Sequence, residues 1–134
     1  MGDWHCQGKF VKSGKPISNS LSLSPTLEGR WIELRQDDEP PNAFHATAFW
    51  SYDSKESRFV AVLFDNFNET PRNFDGALSN GTLSWKRPIT GSSEIAAEQF
   101  VFEMKGTKLG ITYQVMRNGE SSWSGGDVLE CSRK

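Results

Sequence analysis

A single closed, antiparallel, up-and-down β-barrel of about ten strands, all-β with little or no helix, is the fold class predicted by three features of the sequence. Apolar and polar residues alternate along most of the chain, the signature of half-buried strands. Gly, Asn, Ser and Pro interrupt the alternation every 8–12 residues or so, as in a meander. Helical periodicity is almost absent: only residues 92–98 have room for a helical turn or two, whereas parallel returns need about a dozen or more residues each. The 134 residues amount to one domain. Ten consecutive strands left open would expose two edges, and closure removes both.

Taken in order, the alternation predicts strands at 4–12, 18–24, 30–37, 44–52, 58–66, 73–78, 82–86, 98–105, 110–117 and 122–131. The breaks between them are hairpin turns: Ser13-Gly14-Lys15-Pro16, Asp53-Ser54-Lys55-Glu56, and the pairs Asn80-Gly81 and Asn118-Gly119, whose residues tolerate the positive φ of type I′ turns. The segment 37–42, Asp-Asp-Glu-Pro-Pro-Asn, reads as a polar loop. In a closed meander the first and last strands pair antiparallel, which sets Cys6 opposite Cys131, the only two cysteines. Either a disulfide, implying an oxidising compartment, or two buried thiols satisfies that placement.

Several strands declare their inner face. Trp4, Cys6, Gly8 and Phe10 share one side of the first strand, Leu21 and Leu23 one side of the second, and Phe100, Phe102 and Met104 one side of the eighth. The third, fourth, fifth and ninth are apolar on both sides, so periodicity does not choose between them. On the third strand, either Ile32 and Leu34 point inward, or Trp31, Glu33 and Arg35 do. A barrel interior that mixes apolar and polar groups suits a small ligand. The candidate ligand-binding residues are therefore Trp31, Glu33, Arg35, Phe49, Tyr113 and Phe102, with Glu33, Arg35 and Tyr113 orienting the ligand if they face inward.

Composition excludes several alternatives. With 15 basic against 17 acidic residues the net charge is −2, without the basic excess that phosphate binding favours, so nucleic acid is not expected as a partner. No run approaches the ~18–20 apolar residues that span a bilayer, and Met1-Gly2-Asp3-Trp4 starts no leader peptide; membrane insertion is not expected. The compartment stays open between the cytoplasm and, with a leader removed, the periplasm or exterior. Two His and two Cys on distant segments make no zinc motif, and no metal or cofactor is expected. Haem ligation would have to use His45 or His5, each read as a rim or surface residue. Gly125-Gly126 lacks the strand–loop–helix setting of a nucleotide loop. Asn80-Gly81-Thr82 and Asn68-Glu69-Thr70 match the glycosylation tripeptide at chance frequency. Trp50, Trp85 and Trp123 are candidates for surface binding of sugar or protein, with core or rim packing as the simpler reading.

The opening Trp4-x-Cys6-x-Gly8-x-Phe10, the strand entry Leu27-Glu28-Gly29-Arg30-Trp31 and the pre-hairpin Trp50-Ser51-Tyr52-Asp53 resemble the small bacterial calycin-like proteins of the DUF1579 type, and more loosely the lipocalins. The resemblance implies a closed barrel with a cavity for a small hydrophobic or amphipathic molecule. It carries over no catalytic residue. The chain lacks the C-terminal helix of lipocalins and the helix pair of fatty-acid-binding proteins, so loops 37–42 or 67–72 would gate the cavity.

Binding such a ligand, as a carrier or sensor, is the leading expectation. A small cyclase- or isomerase-type enzyme using Glu33 or Tyr113 for acid–base help is the second. The third is an interaction protein that dimerises through the outer apolar faces of the fourth and fifth strands; the oligomeric state stays open between monomer and homodimer.

Overall fold

The computed structural model describes residues 1–134. Ten strands follow one another: β1 (Gly2–Phe10), β2 (Pro16–Thr26), β3 (Trp31–Asp38), β4 (His45–Asp53), β5 (Arg58–Asp65), β6 (Arg72–Ser79), β7 (Thr82–Pro88), β8 (Ile95–Lys105), β9 (Lys108–Arg117) and β10 (Ser124–Arg133). Each pairs antiparallel with its sequence neighbours, and β1 pairs with β10, so the sheet closes into a barrel without an edge. The expected fold class is the observed one. There is no helix: residues 92–94 make a turn in which Ser92 Oγ accepts from the Glu94 and Ile95 N–H groups, and β8 starts there, earlier than the alternation indicates. Two bulges interrupt the ladders, one in β8 between Ile95 and Ala97 and one in β10 between Gly125 and Asp127.

Turn chemistry decides several hairpins. Asn80 and Gly81 both have positive φ, as a type I′ turn between β6 and β7 demands. At the second Asn-Gly pair only Gly119 is left-handed, and the connection runs on to Ser124 instead of closing in two residues.

At the seam, Cys6 faces Cys131 in the β1–β10 register and the two form a disulfide, both residues fully buried. Gly8, one inward position along, has no room for a side chain, because a Cβ there would overlap the Val128 carbonyl of β10.

The core fills the closed half of the barrel with rings. Trp50 lies 5.2 Å from Trp85 and 4.9 Å from Phe102, and Phe74 lies 5.6 Å from Phe100. Small residues make room for them. Ala46 and Ala48 on the inner face of β4 and Ala61 on that of β5 leave space beside the rings, and Gly76 leaves the space that the Trp85 ring enters, 2.6 Å from where its Cβ would be. Trp50 and Trp85 thus belong to the interior and are not surface-binding aromatics.

Candidate functional site

The inner parity of β3 follows from its partners. Leu34 and its neighbour Ala48 are both buried in the core, so Ile32, Leu34, Gln36 and Asp38 point inward. Trp31, Glu33 and Arg35 consequently face outward, and the orienting role expected of Glu33 and Arg35 has no geometric basis. Arg35 is exposed and reaches only Asp37, at 3.4 Å. Phe49 alternates with Ala48 and Trp50 and also lies outside, edge-on to the exposed Phe64 at 6.4 Å. Volume accords with this parity: Ala48 and Ala61 are the small residues set beside the central rings. Tyr113 and Phe102 do point inward, to different places. Phe102 joins the aromatic floor, beside an apolar recess of about 50 Å³. Tyr113 stands in the wall of a larger cavity above it.

That cavity measures about 300 Å³ and opens at the barrel end formed by the start of β2, β4, β6, β8 and β10. Phe10, Ile17, Phe44, Phe100, Ile111 and Leu129 give it apolar walls. Around them runs a polar collar of Gln36, Asp38, Asn42, Asn68, Arg72, Tyr113 and Asp127. Phe44 and Phe67 meet at 5.5 Å over the entrance, and residues of both 37–42 and 67–72, the segments of which one or the other is expected to gate the cavity, line this mouth.

One side of the collar rests on a buried ionic cluster. Glu98 is 2% exposed and accepts hydrogen bonds from Arg72 Nη1 at 2.7 Å, Arg87 Nη1 at 2.6 Å and the Tyr113 hydroxyl at 2.9 Å. Arg72 Nη2 also donates to Asp65, at 2.7 Å. Burial, and then the Glu98 charge, raise the Tyr113 phenol well above its ordinary range, so it is a fixed donor to Glu98. For Asp65, burial alone would favour the protonated form, but hydrogen bonds from Asn68, the Phe67 N–H and Arg72 outweigh it and hold the carboxyl low.

The opposite side is acidic. Asp38 Oδ1 accepts from Asn19 Nδ2 and Gln36 Nε2, both at 3.2 Å. Asp127 has no such support: burial, and then the negative charge of Asp38, push its carboxyl up to about 6. Behind it the Tyr113 ring packs on Gly126, 2.5 Å from where a Cβ would stand, which gives the Gly125-Gly126 pair a packing role.

The two histidines lie on the outer face. His5 alternates with the buried Trp4 and Cys6 and approaches Ser18 and Glu39, while His45 Nδ1 is 2.7 Å from Asp37. Neither is placed to ligate a group inside the barrel. No cluster of His, Cys, Asp and Glu has the geometry to hold a metal ion.

No protein-family model matches the chain, and neither does any curated protein. Among solved structures, the chain is similar to Rv2717c from M. tuberculosis, with a TM-score of 0.64 at 10% sequence identity, over 100% of this chain and 92% of that one. At that identity the likeness shows the fold. The ten-stranded closed barrel is thus a known architecture, and the site has to be read from its own residues.

The sequence reading missed Asp38, Arg72, Glu98 and Asp127. A signal for two of them was present. Extending the inward parity of Phe100 and Cys131 toward the mouth reaches Glu98 and Asp127, whereas Asp38 lies on a strand whose two faces are both apolar.

Proposed function

We propose that this chain is a calycin-like binding module that holds a small, largely apolar ligand in the mouth of its barrel, as a carrier or sensor. The observation that carries the reading is the cavity of about 300 Å³, apolar in its walls and polar at its rim, above an aromatic floor. Its volume falls at the lower end of the ~300–1,000 Å³ typical of small-molecule sites, and apolar walls with a few placed polar groups are what such sites share. The floor blocks the barrel from end to end, so the ligand enters and leaves by the mouth, past Phe44 and Phe67. Glu33, the carboxylate expected to supply acid–base help in an enzyme, faces solvent and supports no such role. The disulfide accords with a working place in an oxidising compartment.

Native mass spectrometry of freshly purified protein tests the reading. The expected result is a bound small molecule that leaves on denaturation, or, after delipidation, saturable uptake of octanol at one site per chain. Protein that carries nothing and takes up no octanol would overturn it.

A further inference from the structure

The polar collar is unbalanced in its hydrogen-bonding groups. Its hydroxyl and charged donor groups are engaged within the protein itself. Tyr113 gives its only proton to Glu98, and the two terminal nitrogens of Arg72 are tied to Glu98 and Asp65. Arg72 Nε has no partner but also no accessible surface. The amide nitrogens of Gln36, Asn42 and Asn68 donate to Asp38, the Pro16 carbonyl and Asp65. Apart from the second N–H of these nitrogens, what a ligand meets is acceptors: the carbonyl oxygens of those three amides, and the carboxylates of Asp38 and Asp127.

Charge points the same way. Both carboxylates line the cavity, and no cation lies against either of them; Arg72, the cavity's cationic side chain, is neutralised by Asp65 and Glu98. Asp38 is only 9% exposed, with Oδ1 taking both neighbouring amides and Oδ2 left without a partner. Two like charges in a half-enclosed, low-dielectric wall repel each other, and an opposite charge placed between them is strongly favoured.

We propose that the cavity recognises a small amphiphile whose polar end is a protonated amine, set against Asp38 and Asp127 with its apolar body on Phe44, Phe100 and Ile111. An ammonium group offers three N–H donors and a positive charge, which complements a collar of acceptors and unpaired carboxylates. A carboxylate-headed ligand such as a fatty acid would meet two like charges and no cation free of a carboxylate partner. The inference rests on the ligand-binding reading above and narrows it to a ligand class.

Calorimetric titration of the intact, disulfide-bonded protein near neutral pH with octylamine, octanol and octanoate tests it, because the three share one chain and differ in the head group. Octylamine is expected to bind at least about tenfold more tightly than octanol, and octanoate least well. In Asp127→Asn, which removes a carboxylate that nothing else in the protein uses, the octylamine affinity should fall about tenfold, and its advantage over octanol should shrink accordingly. Equal affinity for octylamine and octanol, or tighter binding of octanoate, would overturn the amine assignment and leave cavity binding intact. Binding of none of the three would overturn both.

Discussion

Asp127 illustrates a single residue kept at the expense of stability. A carboxyl whose folded pKa lies above its unfolded value stabilises the native state while both states are protonated, and that contribution is lost as pH rises through the folded value. With the group moved from 3.8 to about 6, the loss runs across that interval. Asp127→Asn, which stays neutral throughout, should therefore gain about 2–3 kcal/mol over the parent at mildly alkaline pH and almost nothing near pH 3, below both values. Thermal melts at the two pH values check this, and an equal shift at both would show that Asp127 is not held in an unfavourable state. Asp65 has the opposite sign: its lowered carboxyl contributes stability above the ordinary carboxylate range and loses it on acidification. A residue that weakens the empty protein at working pH, while facing a cavity, fits a binding group better than a structural one.

At the scale of the strand, periodicity shows where strands run but not always which way they face. β1, β2 and β8 are apolar on one side, so their inner faces were legible. β3, β4 and β5 carry apolar residues on both, and there volume decides: Ala46, Ala48 and Ala61 sit inside because Trp50, Trp85 and Phe102 occupy the space before them. No local count of hydrophobic residues contains that information. The polar collar was hidden for another reason. Its residues lie at strand ends, where Asp38 reads as the start of an acidic loop and Asp127 follows a bulge. The ionic cluster shows how four strands are tied at one level, since Asp65 ends β5, Arg72 begins β6, Arg87 is on β7 and Glu98 on β8. Glu98→Gln would leave Arg87 free to turn toward solvent but strand part of the charge of Arg72, which is 14% exposed. A loss of about 3–5 kcal/mol is expected, the range for breaking a buried pair at one partner. Denaturant unfolding measures it; a change under about 1 kcal/mol would mean that the cluster is solvated and contributes little.

For the whole molecule, the decisive step is closure. Nine of the ten strand pairings join neighbours in sequence, whereas the tenth brings residue 4 to residue 133 and is the pairing on which the barrel's interior depends. The disulfide stands in that seam, with a sequence separation of 125, so it restricts nearly the entire unfolded chain. On the chain-entropy account, losing a cross-link of this span costs about 3–5 kcal/mol, because the open chain must first bring its ends together. The double variant Cys6→Ala, Cys131→Ala should still close, since the β1–β10 ladder is intact without it, but its denaturation midpoint should fall by the corresponding amount. Its denaturant slope should steepen as the unfolded state expands. The burial of both cysteines adds a kinetic consequence: a reductant reaches the sulfurs only after the seam opens. Thiol release is therefore expected to be slow in native buffer and rapid in denaturant. Equal rates in the two would mean that β1 and β10 part readily, and a barrel that opens so easily would not keep water from the apolar walls on which ligand binding relies.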